Sequence, residues 1–263
     1  MLHIKLNKFR RTRKQIKTMK IEGRFSKRKD SFDPTPHNLW ISALEENIED
    51  LGIDAFGWKF LTSDYYGNDS EMHGSFDFML EGDEKELPGK QASRSLGWSI
   101  SNGGRHRPRF FIGGRFGTEG AGGFAAEMVE FQKHSGVNIE LSIAGLFMGL
   151  KDKCREIDKK VTKMVESPLW HSDRSMIIIE AARRGIVPWS RLKACDNFCT
   201  NNEVRKEENL WWHLIRGFGL SIAKNTSLKQ LGQLSQAWDL VWDWHEWKDE
   251  QDAESEDAVE IGA

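Results

Sequence analysis

Cations interleaved with aromatic rings give this sequence its clearest chemical signal. Residues 87–118 contain no Asp or Glu, yet they carry six Lys and Arg residues and one His. Trp98 and three Phe residues stand among these cations. Guanidinium groups can neutralise phosphates while rings stack on exposed bases, so the segment predicts contact with single-stranded nucleic acid. A hairpin with its rings in the core and its arginines in water would have the same composition.

We expect the contacts to come from this segment, from a Lys just before the next helix and from the basic N-terminus. The residues expected to bind nucleic acid are Arg94, Arg105, Arg107, Arg109, Phe110, Phe111, Arg115, Phe116, Lys133, Arg10, Arg11, Arg13 and Lys14. The Phe rings that face outward would stack on bases, and the cations would neutralise phosphates.

A glycine-rich run at 113–123 precedes a predicted helix. Backbone N–H groups at such a helix start can bind phosphate. The run lacks the Gly-Lys-Ser/Thr ending of a P-loop, so we expect a flexible joint beside a nucleic-acid backbone and no nucleotide cofactor.

Two groups of potential metal ligands carry weaker signals. Cys195 and Cys199 lie one helical turn apart, with His171 and His213 elsewhere in the same half, but a second close pair of ligands is missing. We therefore expect buried, apolar thiols and no metal. An acidic cluster, whose spacing matches no nuclease pattern, comprises Asp64, Asp69, Glu71, His73 and Asp77. A non-enzymatic protein is predicted, with a metal-dependent nuclease acting through Asp77 as a distant alternative.

Eleven Trp residues raise the question of core against surface. Trp238 and Trp242 are one turn apart and are predicted to be core. Trp244 falls on another helical face and is expected to be exposed. Trp211 and Trp212 are adjacent, so we expect one of them to lie in an interface.

Charge is distributed unevenly along the 263 residues. Residues 1–30 carry a net charge of +10, whereas residues 248–263 carry −6. We expect a basic flexible arm (1–31), an α+β domain (32–166), a helical region (167–248) and an acidic disordered tail (249–263). The tail is predicted to compete with nucleic acid for the cations of the same chain or to bind basic partner proteins, and a simple solubility role is equally compatible with it.

Three features of the sequence predict where the protein is located in the cell. It has no run of 18 apolar residues, no apolar core of a secretory signal, and only three Cys residues. We therefore expect no membrane contact and a reducing, cytoplasmic location.

Periodicity predicts an α+β fold: an antiparallel β-meander packed on a long helix, followed by a helical C-terminal half. Four strand-like segments, near 53–62, 76–80, 96–100 and 108–116, are separated by turns too short for helical crossovers. From about Phe124 the period becomes helical, and apolar residues recur every third or fourth position over 143–165.

The order of these features resembles the phage/plasmid-like family known as domain of unknown function 932. The similarity rests on the segments 97–102, 109–113 and 132–135 and on a late Trp-rich half, over about 50–245. Gly113-Gly114 stands where that family has Cys-Asn, and no functional residue is transferred. The resemblance implies a phage or mobile-element origin, and for a phage-encoded chain the expected location is the cytoplasm of the host cell. The strand-then-helix order also resembles Rad52/Red-β-type single-strand annealing proteins, which bind single strands as oligomers.

These observations predict a non-enzymatic protein that binds single-stranded DNA or RNA in phage recombination or replication, and the second resemblance implies that it could also anneal strands. A homo-oligomer is expected. The alternative is a phage structural, assembly or interaction protein whose basic arm contacts nucleic acid or a neighbouring subunit. Stable assembly without any nucleic acid would distinguish this alternative.

Overall fold

A computed structural model describes residues 7–11, 15, 37–64, 71–80, 92–101, 107–116, 123–131, 139–204, 210–223 and 229–261. The strands of this part of the chain are β1 Asn7–Arg11, β2 Asp54–Asp64, β3 Glu71–Met79, β4 Ala92–Ser101, β5 Arg109–Phe116 and β6 Gly123–Glu130. Its helices are α1 His37–Asp50, α2 Ile139–Met148, α3 Leu150–Glu166, α4 His171–Arg183, α5 Leu192–Val204, α6 Trp211–Ala223 and α7 Lys229–Ile261. A short 3₁₀ turn, Trp189–Arg191, precedes α5.

The strands form one sheet in chain order, from β1 to β6. The pairs β1–β2, β2–β3 and β3–β4 are antiparallel. A helical C-terminal half follows the sheet, so the predicted α+β class with an antiparallel meander is confirmed. No helix among the described residues is long and apolar enough to cross a membrane.

Contacts divide the chain into two compact units that alternate along it. The first unit comprises Met1–Lys85, Ser93–Gly114 and Glu127–Arg155, and the second comprises Glu86–Ala92, Arg115–Ala126 and Glu156–Ala263. The sequence-predicted boundaries, which follow one another along the chain, stay predictions.

Aromatic rings form much of the core of the first unit. Trp40 of α1 stacks on Phe131, with ring centroids 6.1 Å apart, and Phe110 lies 5.2 Å from Phe131. A second group surrounds Trp98 on β4, whose ring lies 6.0 Å from that of Phe76 on β3.

Gly74 on β3 is directly opposite Trp98 on β4. A Cβ atom at Gly74 would lie 2.1 Å from the Trp98 ring and 2.8 Å from the carbonyl oxygen of Lys59. The indole therefore occupies the space that any side chain at position 74 would need.

The core of the second unit is also aromatic. Phe124 stacks on Trp238 at 4.9 Å and meets Trp212 edge-on at 5.5 Å. Trp238 and Trp242 are buried, as predicted. Trp211 and Trp212 are both buried as well, so the expectation that one lies in an interface is wrong. Helix α6 is covered on several sides, and residues 211–215 are all buried.

The N-terminal segment departs from the predicted flexible arm at Asn7–Arg11, which forms β1 and pairs with β2. An edge strand tolerates cations because its free side remains solvated, while its backbone gains the hydrogen bonds of the ladder. The predicted arm residues Arg13 and Lys14 lie outside the described residues.

Two helix predictions also need correction. Residues 123–130 were expected to be helical, but they form β6, and the N–H of Phe131 donates to the carbonyl oxygen of Pro108 at 3.0 Å. Pairing with a neighbouring strand outweighs the helical propensity of Ala, Glu and Met. The single long helix predicted over 143–165 is instead α2 and α3, which meet at Gly149.

The acidic C-terminal segment is helical rather than disordered, because α7 continues to Ile261. Its Ala, Glu and Gln residues favour a helix, and Lys248 lies 3.4 Å from Asp252 one turn later. Trp244, expected to be exposed, is half-buried, whereas Trp247 is exposed.

Candidate nucleic-acid interface

The three rings expected to stack on bases are buried. Phe110, Phe111 and Phe116 are 0%, 3% and 6% exposed. The stacking prediction is therefore wrong for all three. Strand β5 lies between β4 and β6, and its residues from Phe110 to Gly114 are all buried. Phe110 packs against Trp40 and Phe131, while Phe116 packs against Phe124 and Trp212.

The arginines of the same segment differ in their exposure. Arg107 is exposed, and Arg94 and Arg115 are half-buried. Arg109 donates from Nε to Oε1 of Glu130 at 2.9 Å, so a carboxylate already partly neutralises this cation. Arg107 is therefore the most accessible of the four described arginines.

Several predicted contacts have no described side chain. Arg105, Lys133, Arg13 and Lys14 lie outside the described residues, and Arg10 and Arg11 are described by their backbone alone.

Strand β1 nevertheless fixes a short basic stretch at the edge of the sheet. Three of its five residues are cations, in the order Asn-Lys-Phe-Arg-Arg. The register places Lys8 opposite Ser63, and Arg10 opposite Leu61, on β2. No described strand pairs with the other side of β1. The edge therefore combines a concentration of cations with backbone groups that can contact phosphate oxygens.

Three members of the acidic cluster lie at alternating positions on β3, on one face of the sheet. Glu71, His73 and Asp77 are directly opposite Ser101, Ser99 and Ser95 of β4. Glu71 and Asp77 are buried, and Nε2 of His73 lies 3.9 Å from Oε2 of Glu71. Within the described ranges, no three His, Cys, Asp or Glu side chains converge as metal ligands. These three residues form a polar ladder with the serines of β4. Asp64 instead ends β2, opposite Asn7 of β1, and Asp69 lies outside the described residues.

The thiols are buried, as predicted. Cys154, Cys195 and Cys199 are free and at most 2% exposed. A hydrogen bond with Cys199, reinforced by burial, holds the pKa of the Cys195 thiol well above its ordinary value. The thiol of Cys199 donates to the carbonyl oxygen of His213 at 3.7 Å, and His171 is exposed. The pair therefore packs as small apolar groups between α5 and α6.

Sequence reasoning missed two exposed indoles. Trp170 and Trp189 are 66% and 63% exposed. Trp189 lies in the 3₁₀ turn before α5. Trp170 is the residue before α4. The sequence contained a signal for this exposure. Each Trp follows a proline (Pro168 or Pro188) at the start of a helix, and it lies outside the apolar repeat of that helix.

No protein-family model, curated protein or solved structure matches this chain. The resemblances to the 932 family and to single-strand annealing proteins stay predictions.

Proposed function

We propose that this chain binds single-stranded nucleic acid without catalysing a reaction, and acts in phage-type recombination or replication. One observation carries the proposal: a chain segment with a net charge of +10 runs through β1, where it forms an edge of the sheet. Phosphate neutralisation supplies most of the affinity in sequence-independent binding.

The contacts differ from those expected from sequence. Lys8, Arg10 and Arg11 of β1, with exposed Lys59 of β2 and exposed Arg107, become the leading phosphate contacts. Arg109 contributes less, because it is paired with Glu130. The three buried Phe rings stabilise the fold and do not contact nucleic acid in this proposal.

Edge-strand cations have a second, purely structural role, because they discourage sheets from pairing edge to edge. The two roles differ in their salt dependence. Binding to phosphates releases counterions, so affinity falls steeply as salt rises. Protection of an edge predicts no affinity for oligonucleotides at low salt.

The test is fluorescence anisotropy of labelled oligo(dT) over a series of salt concentrations. Replacing Lys8, Arg10 and Arg11 together by Ala should weaken binding and reduce the slope of log K against log salt by about 2. The matched control replaces Lys151, Arg155 and Lys159, three exposed cations of α3, by Ala. Equal effects of the two triple variants, or no binding of the wild type at low salt, would overturn the proposal.

The same samples test the absence of catalysis. Oligonucleotide incubated with protein and Mg²⁺ should stay intact on a denaturing gel. Cleavage that disappears in Asp77→Ala would favour the nuclease alternative instead.

A further inference from the structure

Helix α4 carries apolar side chains on its exposed side as well as on its buried side. Ile177, Ile178 and Ala181 are buried, whereas Met176 and Ile179 are 54% and 50% exposed. The exposed indoles of Trp170 and Trp189 lie before and after this helix. We call the exposed apolar and basic residues of the segment 170–193 the α4 stripe: Trp170, Met176, Ile179, Arg183, Arg184, Trp189 and Lys193. Four large apolar side chains exposed within 20 residues of the chain are typical of an interaction surface.

The cations of the α4 stripe give it a positive charge. The side chains of Arg183 and Arg184 are 71% and 55% exposed, and Lys193 is exposed. Both arginines contact Glu180, at 3.2 Å and 2.9 Å, and the hydrogen bond from Arg184 lowers the pKa of this carboxyl. One carboxylate shared between two guanidinium groups leaves a positive surplus, to which Lys193 adds. The matching partner is acidic and carries apolar side chains.

The last turns of α7 are acidic and carry an exposed apolar side chain, as the matching partner requires. Residues 248–263 carry seven acids and one Lys. From Glu246 to Asp252 every residue is exposed except half-buried Lys248, and Trp247 is 52% exposed. A short helical segment without a packed apolar face is marginally stable in water. A docking surface would stabilise it.

In its own chain, the end of α7 runs past the N-terminal end of α4 and away from the cations Arg183, Arg184 and Lys193. Near its start, the side-chain amide of Gln233 donates to the carbonyl oxygen of Gly185, just after α4, at 3.3 Å. Twelve residues later, His245 packs on Trp211, whose indole N–H donates to the carbonyl oxygen of Pro168, just before α4. Helix α7 therefore passes α4 from its C-terminal to its N-terminal end, and its acidic residues continue beyond Pro168.

We propose that the acidic end of α7 in one copy of the chain docks on the α4 stripe of a second copy. Charge complementarity selects this occupant, and Trp247 supplies an apolar anchor for the stripe. The contact joins two different surfaces, so each copy offers one of each. The proposal does not depend on nucleic-acid binding. The association is reversible and changes with protein concentration and salt, which distinguishes it from the stable assembly that the structural alternative predicts.

Sedimentation velocity of the full chain without nucleic acid tests this contact. The average mass should rise with protein concentration at low salt and fall as salt is added. Deleting 249–263, or replacing Arg183, Arg184 and Lys193 by Glu, should give monomers. The matched control replaces Lys151, Arg155 and Lys159 by Glu and should assemble like the wild type. Thermal unfolding of each variant checks that the fold is retained.

A charge exchange gives the decisive result. A chain with Asp249, Glu250 and Asp252 replaced by Lys should associate with the Arg183→Glu, Arg184→Glu, Lys193→Glu chain, although neither forms these contacts alone. A wild-type monomer at every concentration, or assembly that survives both variants, would overturn the proposal. So would a monomer whose oligo(dT) affinity falls about tenfold in Trp170→Ala, Trp189→Ala, because nucleic acid would then be the occupant.

Discussion

Arg109 and Glu130 join β5 to β6 through an ion pair of 2.9 Å between Nε and Oε1. The pair is partly exposed, with side chains 40% and 31% accessible. A cation that sequence assigns to phosphate is thus held by a carboxylate of its own sheet. A nucleic-acid phosphate has to compete with Glu130 for this guanidinium group.

Replacing Glu130 by Gln should therefore strengthen binding to oligo(dT), by about threefold at low salt, since exposed ion pairs contribute at most about 1 kcal/mol. Fluorescence anisotropy measures the change. The control is Glu140→Gln, which removes one exposed acid from α2. An equal gain in both variants would show that net charge alone is responsible.

Phe110 is predicted to act on stability. Its ring is fully buried against Trp40 and Phe131, so Phe110→Ala should lower the free energy of unfolding by about 3–5 kcal/mol. Urea denaturation followed by circular dichroism measures this loss. A fully stable variant with weakened oligonucleotide binding would instead restore the stacking role.

The sequence correctly predicted the elements with a clear hydrophobic period. It failed where pairing with a neighbouring strand determines the secondary structure. The alternation of Phe76 and Phe78, and the helical repeat through Val161, correctly predicted a strand and a helix. The segment 123–130 has helix-forming residues but lies beside β5, a contact that no local pattern reveals. At the candidate site, the composition of the segment identified the cations. The burial of Phe110 and the ion pair between Arg109 and Glu130 depend on which strands lie beside β5, and the sequence does not show that order.

Gly74→Ala should lower the free energy of unfolding by about 3 kcal/mol or more, because a Cβ atom there overlaps the Trp98 ring and the Lys59 carbonyl. Gly145→Ala is the matched control. It lies in α2 with nothing within 4 Å of its added Cβ, so it should stabilise by about 0.5–1 kcal/mol. Urea midpoints compare the two, and equal effects would contradict the packing described for Trp98.

His245 makes stability depend on pH. Its side chain is fully buried and stacks on Trp242 at 5.4 Å. Burial is the main cause that lowers the pKa of His245 below its ordinary 6.5; Lys163 lowers it further, while Asp249 and Glu246 partly oppose the shift. The unfolded chain then takes up a proton before the folded chain does. The stabilising contribution is complete above pH 6.5 and is lost as pH falls toward the folded pKa.

Urea midpoints of the wild type should therefore fall between pH 7.5 and pH 5.5 more than those of His245→Gln. His171→Gln, at an exposed site, should behave like the wild type. Identical pH dependence in all three proteins would exclude His245 as the cause.

The buried thiols should be protected from alkylation. All three are at most 2% exposed, and the raised pKa of Cys195 leaves little thiolate at neutral pH. Iodoacetamide followed by mass spectrometry should find little modification of the native protein and three modified residues in denaturant. Rapid native labelling of Cys195 would contradict its described environment.

The pairing of Gly74 with Trp98 also decides how β3 and β4 align. A shift of two residues would still place serines of β4 against polar residues of β3, so that face selects the alignment only weakly. On the other face, the same shift would move Trp98 opposite Met72 or Phe76, both buried and larger than glycine. The lack of a side chain at Gly74 thus distinguishes the native register of β3 and β4 from the two registers shifted by two residues.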